Sequence, residues 1–186
     1  MATVIPFEER AVANLRRRLG AIEEANQDLI AFARGHSGAV ASIHEAVIAA
    51  IEADSIESLF HVVTQEWPLI LGIDAVALSL IVGAQGFRAD GSNVQHVDPA
   101  LLRRAIDRVH GVEMRTVKRG HPLFGPACEL IRAEALVPLA GINSQTSGLL
   151  ALGQRRGQGF ETRQGSELLL FLGSVLMRSV DRWLTP

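Results

Sequence analysis

The chain has 186 residues, 48% hydrophobic and 20% charged, a globular balance long enough for one domain and an accessory element. Its net charge of −2 supplies no general field for nucleic acid or an anionic membrane, and no run approaches the ~18 apolar residues of a membrane span. A single cysteine, Cys128, excludes an intramolecular disulfide and any multi-cysteine metal site, and the charged start at Glu8 to Arg10 offers no signal-peptide core; a cytoplasmic location is expected.

Lys118 is the only lysine among eighteen basic residues. That skew reads as a compositional bias, and the pairs Arg103-Arg104 and Arg155-Arg156 read as solvated faces rather than phosphate contacts.

The first element is a helix. Val12, Leu15, Leu19, Ile22, Asn26, Leu29 and Ala33 recur at alternating steps of three and four, the a/d seam of a coiled coil. Asn26 falls at an a position, where one polar residue favours an in-register pair because each side chain satisfies the other in a single alignment. A homodimer through Leu15, Leu19, Ile22, Asn26 and Leu29 is therefore expected; the alternative is a helix packed on its own domain. Gly35 and Gly38 should weaken or kink it. Periodicity resumes at Val40, Ile43, Val47 and Ile51, so residues 1–53 are expected to form a helical stalk and 54–186 the main domain. Asp54 with Glu57 is the expected cap of a further helix, lined by Leu59, Phe60, Val63 and Trp67, bent by Pro68 and ended by Gly72.

Beyond Asp74 the character changes. Asp74 to Val82 predicts a strand, with Gly83 to Gly86 as a hairpin turn. A short strand near Val94 leads to Asp98-Pro99, an N-cap with proline at the first helical position, and a helix over Ala100 to Val109. Val112 to Val117 alternates as a strand. Pro122 to Arg132 is a loop with a short helix. Ala135 to Ala140 and Gly148 to Gly153 are two more strands around a polar turn at Asn143 to Ser147. Phe160 and Thr162 open a last helix carrying Leu168, Leu172, Val175, Leu176, Val180 and Trp183. About five strands interrupted by helical insertions predict an α+β fold, an antiparallel sheet flanked by helices in the GAF/PAS-like manner.

The chain also resembles the bacterial DUF484 family. The resemblance rests on Leu123-Phe124-Gly125, Ala135-Leu136-Val137-Pro138-Leu139, Gly148 to Gly153, Phe160, Gly165, Leu172-Gly173 and Val175-Leu176, with Leu15 to Arg18 and Ile43-His44 upstream. It implies a GAF-like fold and dimerisation through the helices. It implies no cofactor and carries no catalytic residues.

Familiar catalytic patterns do not fit. Ile48 stands where the second histidine of H-E-x-x-H would follow His44-Glu45, and Gly35-His36-Ser37-Gly38 has the wrong spacing for a nucleophile elbow. The glycines from Gly153 to Gly159 lack the Lys-Ser/Thr of a P-loop. The Asn-Lys-Phe-Asp-Glu set of cyclic-nucleotide GAF domains is not in place, Cys128 has no resolving partner, and no histidine adjoins it for bilin attachment.

Glu113 to Cys128 remains the candidate site. Arg115 can pair an anion, His121 can donate, accept or ligate a metal, Phe124 can supply an apolar wall and Cys128 a thiol. The competing reading places Phe124 and Cys128 in the core and Arg115 and His121 in solvent; haem ligation by His110 or His121 is a lesser alternative. The functional expectation is a non-enzymatic regulatory or sensory module without metal or cofactor. It would bind a small ligand and signal to a separate protein, since the chain ends at Pro186 after its last helix. An interaction scaffold with a filled pocket, and an enzyme using His121 and Cys128, are the alternatives.

Overall fold

The computed structural model describes residues 7–141, 146–157 and 163–184; the side chains of 7–15, 28–34, 36, 163 and 164 lie outside that description. Asn143, Phe160 and Thr162, and the side chains of Leu15 and Leu29, thus lie outside the described residues. The chain divides into two units, Met1–Ala41 and Ser42–Pro186.

Helix α1 spans Phe7–Glu52. Gly35 and Gly38 do not interrupt it. A Cβ added at either meets nothing within 4 Å, and a glycine in an exposed helix lowers propensity by about 1 kcal/mol without removing a backbone hydrogen bond. On the first unit, Leu19 and Ile22 are 57% and 65% exposed, and Asn26 is exposed as well. In the second unit Ile43, with Ala46 and Ala50, is buried in the domain core, whereas Ile51 of the expected stripe is 50% exposed.

Three short elements follow. Helix α2, Ile56–His61, is capped by Ser55, whose hydroxyl accepts the Ser58 amide at 3.1 Å. The cap is therefore one residue later than the expected Asp54, because Ser55 holds the extended backbone an N-cap requires. The helix widens to a π turn over Val62–Glu66 and closes with α3, Trp67–Leu71. Pro68 has no N–H to give the Thr64 carbonyl, and the Trp67 amide reaches back five residues to the Val62 carbonyl instead. Gly72, at φ 64°, ends the run in the left-handed conformation.

The sheet has six strands: β1 Ala75–Val82, β2 Gln85–Ala89, β3 Val94–His96, β4 Glu113–Thr116, β5 Ala133–Ala140 and β6 Thr146–Gln154. Their order is β3-β2-β1-β6-β5-β4, all antiparallel. The expected five becomes six because the hairpin turn is only Gly83-Ala84, with Val82 paired to Gln85. Gln85 to Ala89 then forms a strand whose single large apolar residue, Phe87, gives a weak signal. Helix α4, Pro99–Ile106, follows β3, with the Asp98 carboxylate accepting the Ala100 amide at 2.8 Å as an N-cap should. Two 3-10 turns joined at Gly125 fill Pro122–Glu129, and α5 runs Arg163–Leu184.

Strand alternation divides the core. Val76, Leu78 and Leu80 of β1, Val137 and Leu139 of β5, and Leu150 and Leu152 of β6 face one side. There they meet Trp67, the end of α1, and Leu172, Leu176 and Val180 of α5. Trp67 is wholly buried, and its indole N–H finds the Ala46 carbonyl at 3.0 Å. Ala77 and Ile81, Leu136, Leu149 and Ala151 face the other side, under Leu102, Leu123, Phe124, Cys128 and Ile131. That second face carries the site.

Candidate functional site

Strand register places four charged residues on the second face. Arg88 on β2, Glu113 and Arg115 on β4, and Glu134 on β5 alternate with Phe87, Met114 and Ala135, which join the first core. Arg115 stands directly opposite Glu134 in the β4–β5 ladder. Its Nε and a terminal nitrogen both lie within 2.9 Å of Glu134 Oε1, and its other terminal nitrogen is 3.2 Å from Glu113. Glu134 is 1% exposed; its second oxygen accepts the His121 amide at 2.6 Å. A buried carboxylate is tolerable only when paired and fully hydrogen-bonded, and here both oxygens are engaged.

The loop over this face is fastened at several points. Arg88 donates from Nε to the Leu123 carbonyl at 3.1 Å and pairs with Asp90, which also accepts the Ser92 amide. Gly125 lies against that pair at φ 58° and ψ −133°, a region open essentially to glycine, and a Cβ there would stand 2.7 Å from the Asp90 carboxylate. Phe124 and Ile131 sit over Gly153, where a Cβ would come within 3.0 Å of both side chains.

Between this loop, α4 and the sheet lies a cavity of about 700 Å³, within the range of small-ligand sites. Its floor is apolar, with Leu102, Leu123 and Leu136. Leu101, Arg104, Ala105 and Arg108, spaced i, i+3, i+4 and i+7, present one face of α4 and its extension to the cavity. Arg88, Arg115, Glu113 and His121 complete the wall.

His121 has a defined protonation. Its Nδ1 accepts the Leu123 amide at 3.2 Å, so the neutral ring carries its proton on Nε2. Burial holds the imidazole below its ordinary value; Glu134 opposes that shift and Arg115 adds to it.

The structure thus brings Arg115 and His121 together on the cavity wall and puts the other two expected residues beneath it. Phe124 and Cys128 are 2% and 6% exposed in the second core, although Phe124 also reaches a separate depression beside Pro68 and Asp90. Arg119 pairs with Glu129 at 2.8 Å, and interaction with the Cys128 side chain, followed by the Glu129 charge, raises its guanidinium. Sequence reasoning missed Arg88, Arg104, Arg108 and Glu134. The signals were a carboxylate beside an apolar strand and an arginine pair at helical spacing four.

The family model DUF484, described as a protein of unknown function, matches residues 1–185. The chain belongs to the DUF484 family. No curated protein matches it. Among solved structures it is similar to the GAF domain of a phosphoenolpyruvate-protein phosphotransferase from Coxiella burnetii. The identity is 14%, covering 78% of this chain and 94% of that one, with a TM-score of 0.57. It is similar to the A. aeolicus nlh2 GAF domain in an inactive state, at 12% identity, 79% and 98% coverage and a TM-score of 0.56. A free methionine-R-sulfoxide reductase from Neisseria meningitidis, solved with its substrate, aligns at 17% identity, 76% and 87% coverage and a TM-score of 0.52. At these identities the likenesses establish the fold, which is GAF-like. Among the described residues no helix is long and apolar enough to cross a membrane, and no cluster of three metal-ligating side chains occurs.

Proposed function

We propose that this DUF484 chain is a non-enzymatic regulatory or sensory module that takes a small molecule into the cavity under α4 and pairs with a second copy through α1. The cavity carries the reading: about 700 Å³, apolar at the floor and polar at the wall, on the face opposite the long helices. The substrate-bound reductase from Neisseria meningitidis is a GAF-like protein that holds a small molecule, which supports a binding role for this fold.

The logic of regulation is differential stability. A ligand that contacts α4 and the His121 loop stabilises the arrangement in which both close on the sheet, and the sheet is shared with α5 and the end of α1. Pairing would use the a/d seam, where the exposed Leu19 and Ile22 precede Asn26.

Two experiments test these halves. Thermal-shift screening with nucleotides, amino acids, carboxylic acids, haem and metal ions should find a stabilising compound. Ala105→Trp, which fills the cavity from α4, should abolish that stabilisation. A screen with no stabilising compound overturns the ligand reading in favour of a scaffold. In analytical ultracentrifugation the wild type should sediment as a dimer and Asn26→Leu as a mixture including higher oligomers; a monomeric wild type sinks the pairing.

A further inference from the structure

The cavity has an unequal distribution of charge partners. Arg115 is held between Glu113 and Glu134, and Arg88 is held by Asp90 and the Leu123 carbonyl. Glu113, the carboxylate on the wall, is thus already engaged. Arg104 and Arg108 form no ion pair among the described residues. They stand one helical turn apart, on the same face of α4 and its extension, over a floor of leucines.

Both are exposed, so their stems can lie along the apolar floor while their guanidinia stay at the solvent side of the cavity, where an entering anion would meet them. An arginine pair in that position is suited to an oxyanion, which each guanidinium can engage in a forked hydrogen bond. His121, which also lines the cavity, is neutral with its proton on Nε2 and adds no charge there. Leu102, Leu123 and Leu136 fit an apolar body attached to the anion.

Resting on the cavity as the ligand site, we infer that it binds an organic anion, a carboxylate, sulfonate or phosphate joined to an apolar body, with Arg104 and Arg108 as the anion-recognising residues.

A matched pair of fluorescent dyes tests this without knowledge of the natural ligand. Anilinonaphthalene sulfonate carries an aromatic body and an anion, and N-phenylnaphthylamine carries the same body alone. The sulfonate should bind the full chain at one site and more tightly than the neutral dye. Arg104→Ala and Arg108→Ala should each weaken it about tenfold, the scale of one charge-assisted hydrogen bond. The neutral dye should be unaffected. Arg103→Ala, on the same helix but outside the cavity lining, should change neither. Ala105→Trp should displace both dyes. If Ala105→Trp blocks both dyes but the arginine variants bind the sulfonate as the wild type does, the cavity stands and the anion class falls. If neither dye binds, or Ala105→Trp leaves binding intact, the cavity reading falls and the anion class with it.

Discussion

On one face of the sheet, alternate residues of β1, β5 and β6 meet long helices, and Leu78, Leu139, Leu150, Leu172 and Leu176 form an apolar contact there. On the other face the same strands meet a helix of eight residues and a pair of 3-10 turns, and a cavity remains between them. The difference follows from what each cover can supply. A long amphipathic helix lays a continuous stripe on the sheet and closes it to interior density. Short irregular elements cannot, so their position is set by polar fastenings: Glu134 to His121, Arg88 to Leu123, Gly125 against Asp90. One face holds the fold by packing, and the other holds a shape by hydrogen bonds.

Matched truncations along β5 give the largest test of that contrast. Leu139→Ala, on the packed face against Gly173, should cost about 4 kcal/mol, because the helix cannot collapse onto the vacancy. Leu136 is as buried but lies at the cavity floor, so the space that Leu136→Ala leaves can join the cavity, and the cost should be about 2 kcal/mol. Equal losses in urea unfolding would mean that the two faces are packed alike.

Glu134→Ala comes next. It removes the hydrogen bonds Arg115 makes to Glu134 and leaves the His121 amide without its acceptor, at about 2 kcal/mol. Arg115 is half exposed and finds water or Glu113, which keeps the loss below that of a fully buried pair. Amide exchange should quicken at His121 and Leu123 before it changes in β1; uniform quickening would refute the fastening role.

Gly125→Ala is expected to cost about 1–2 kcal/mol, from the strained backbone and the approach to Asp90. The midpoint shift in urea measures it, and an unchanged midpoint would show that the turn is not held where it stands.

The smallest effect is a pH dependence. His121 is lowered by burial, so below its ordinary value of 6.5 the unfolded chain takes a proton that the folded chain does not. The unfolded state therefore binds more protons in that window, and stability falls as pH drops from 6.5 to the lowered value. His121→Asn keeps an acceptor for the Leu123 amide and does not titrate, so its stability should be flatter across the window. Identical slopes for variant and wild type would place the pH response elsewhere.

The parts of the fold written in local signals were legible. Asp98-Pro99 announces a capped helix, the apolar runs of β1, β5 and β6 announce strands, and Leu168 to Trp183 announces α5. Local signals failed where two rules competed. Gly83 to Gly86 satisfied a turn and hid the start of β2, and Asp54 satisfied a cap that Ser55 makes. The candidate site was legible only in part. Arg115 and His121 stand out as chemistry-bearing residues in one segment, whereas the arginines of α4 look like any solvated pair until the helix is laid over a sheet.

By itself, the sequence determined five of the six strands, the α+β class, the membership suggested by its motifs and the apolar repeat of α1, since each depends on residues within about one element's length. Only the tertiary structure decided that Arg115 faces Glu134 nineteen positions away, that His121 keeps its proton on Nε2, and that Arg104 and Arg108 overhang a leucine floor. Those facts follow from strand register and from which insertion covers which face. They are fixed by the sum of many distant contacts, and no short stretch of residues encodes them.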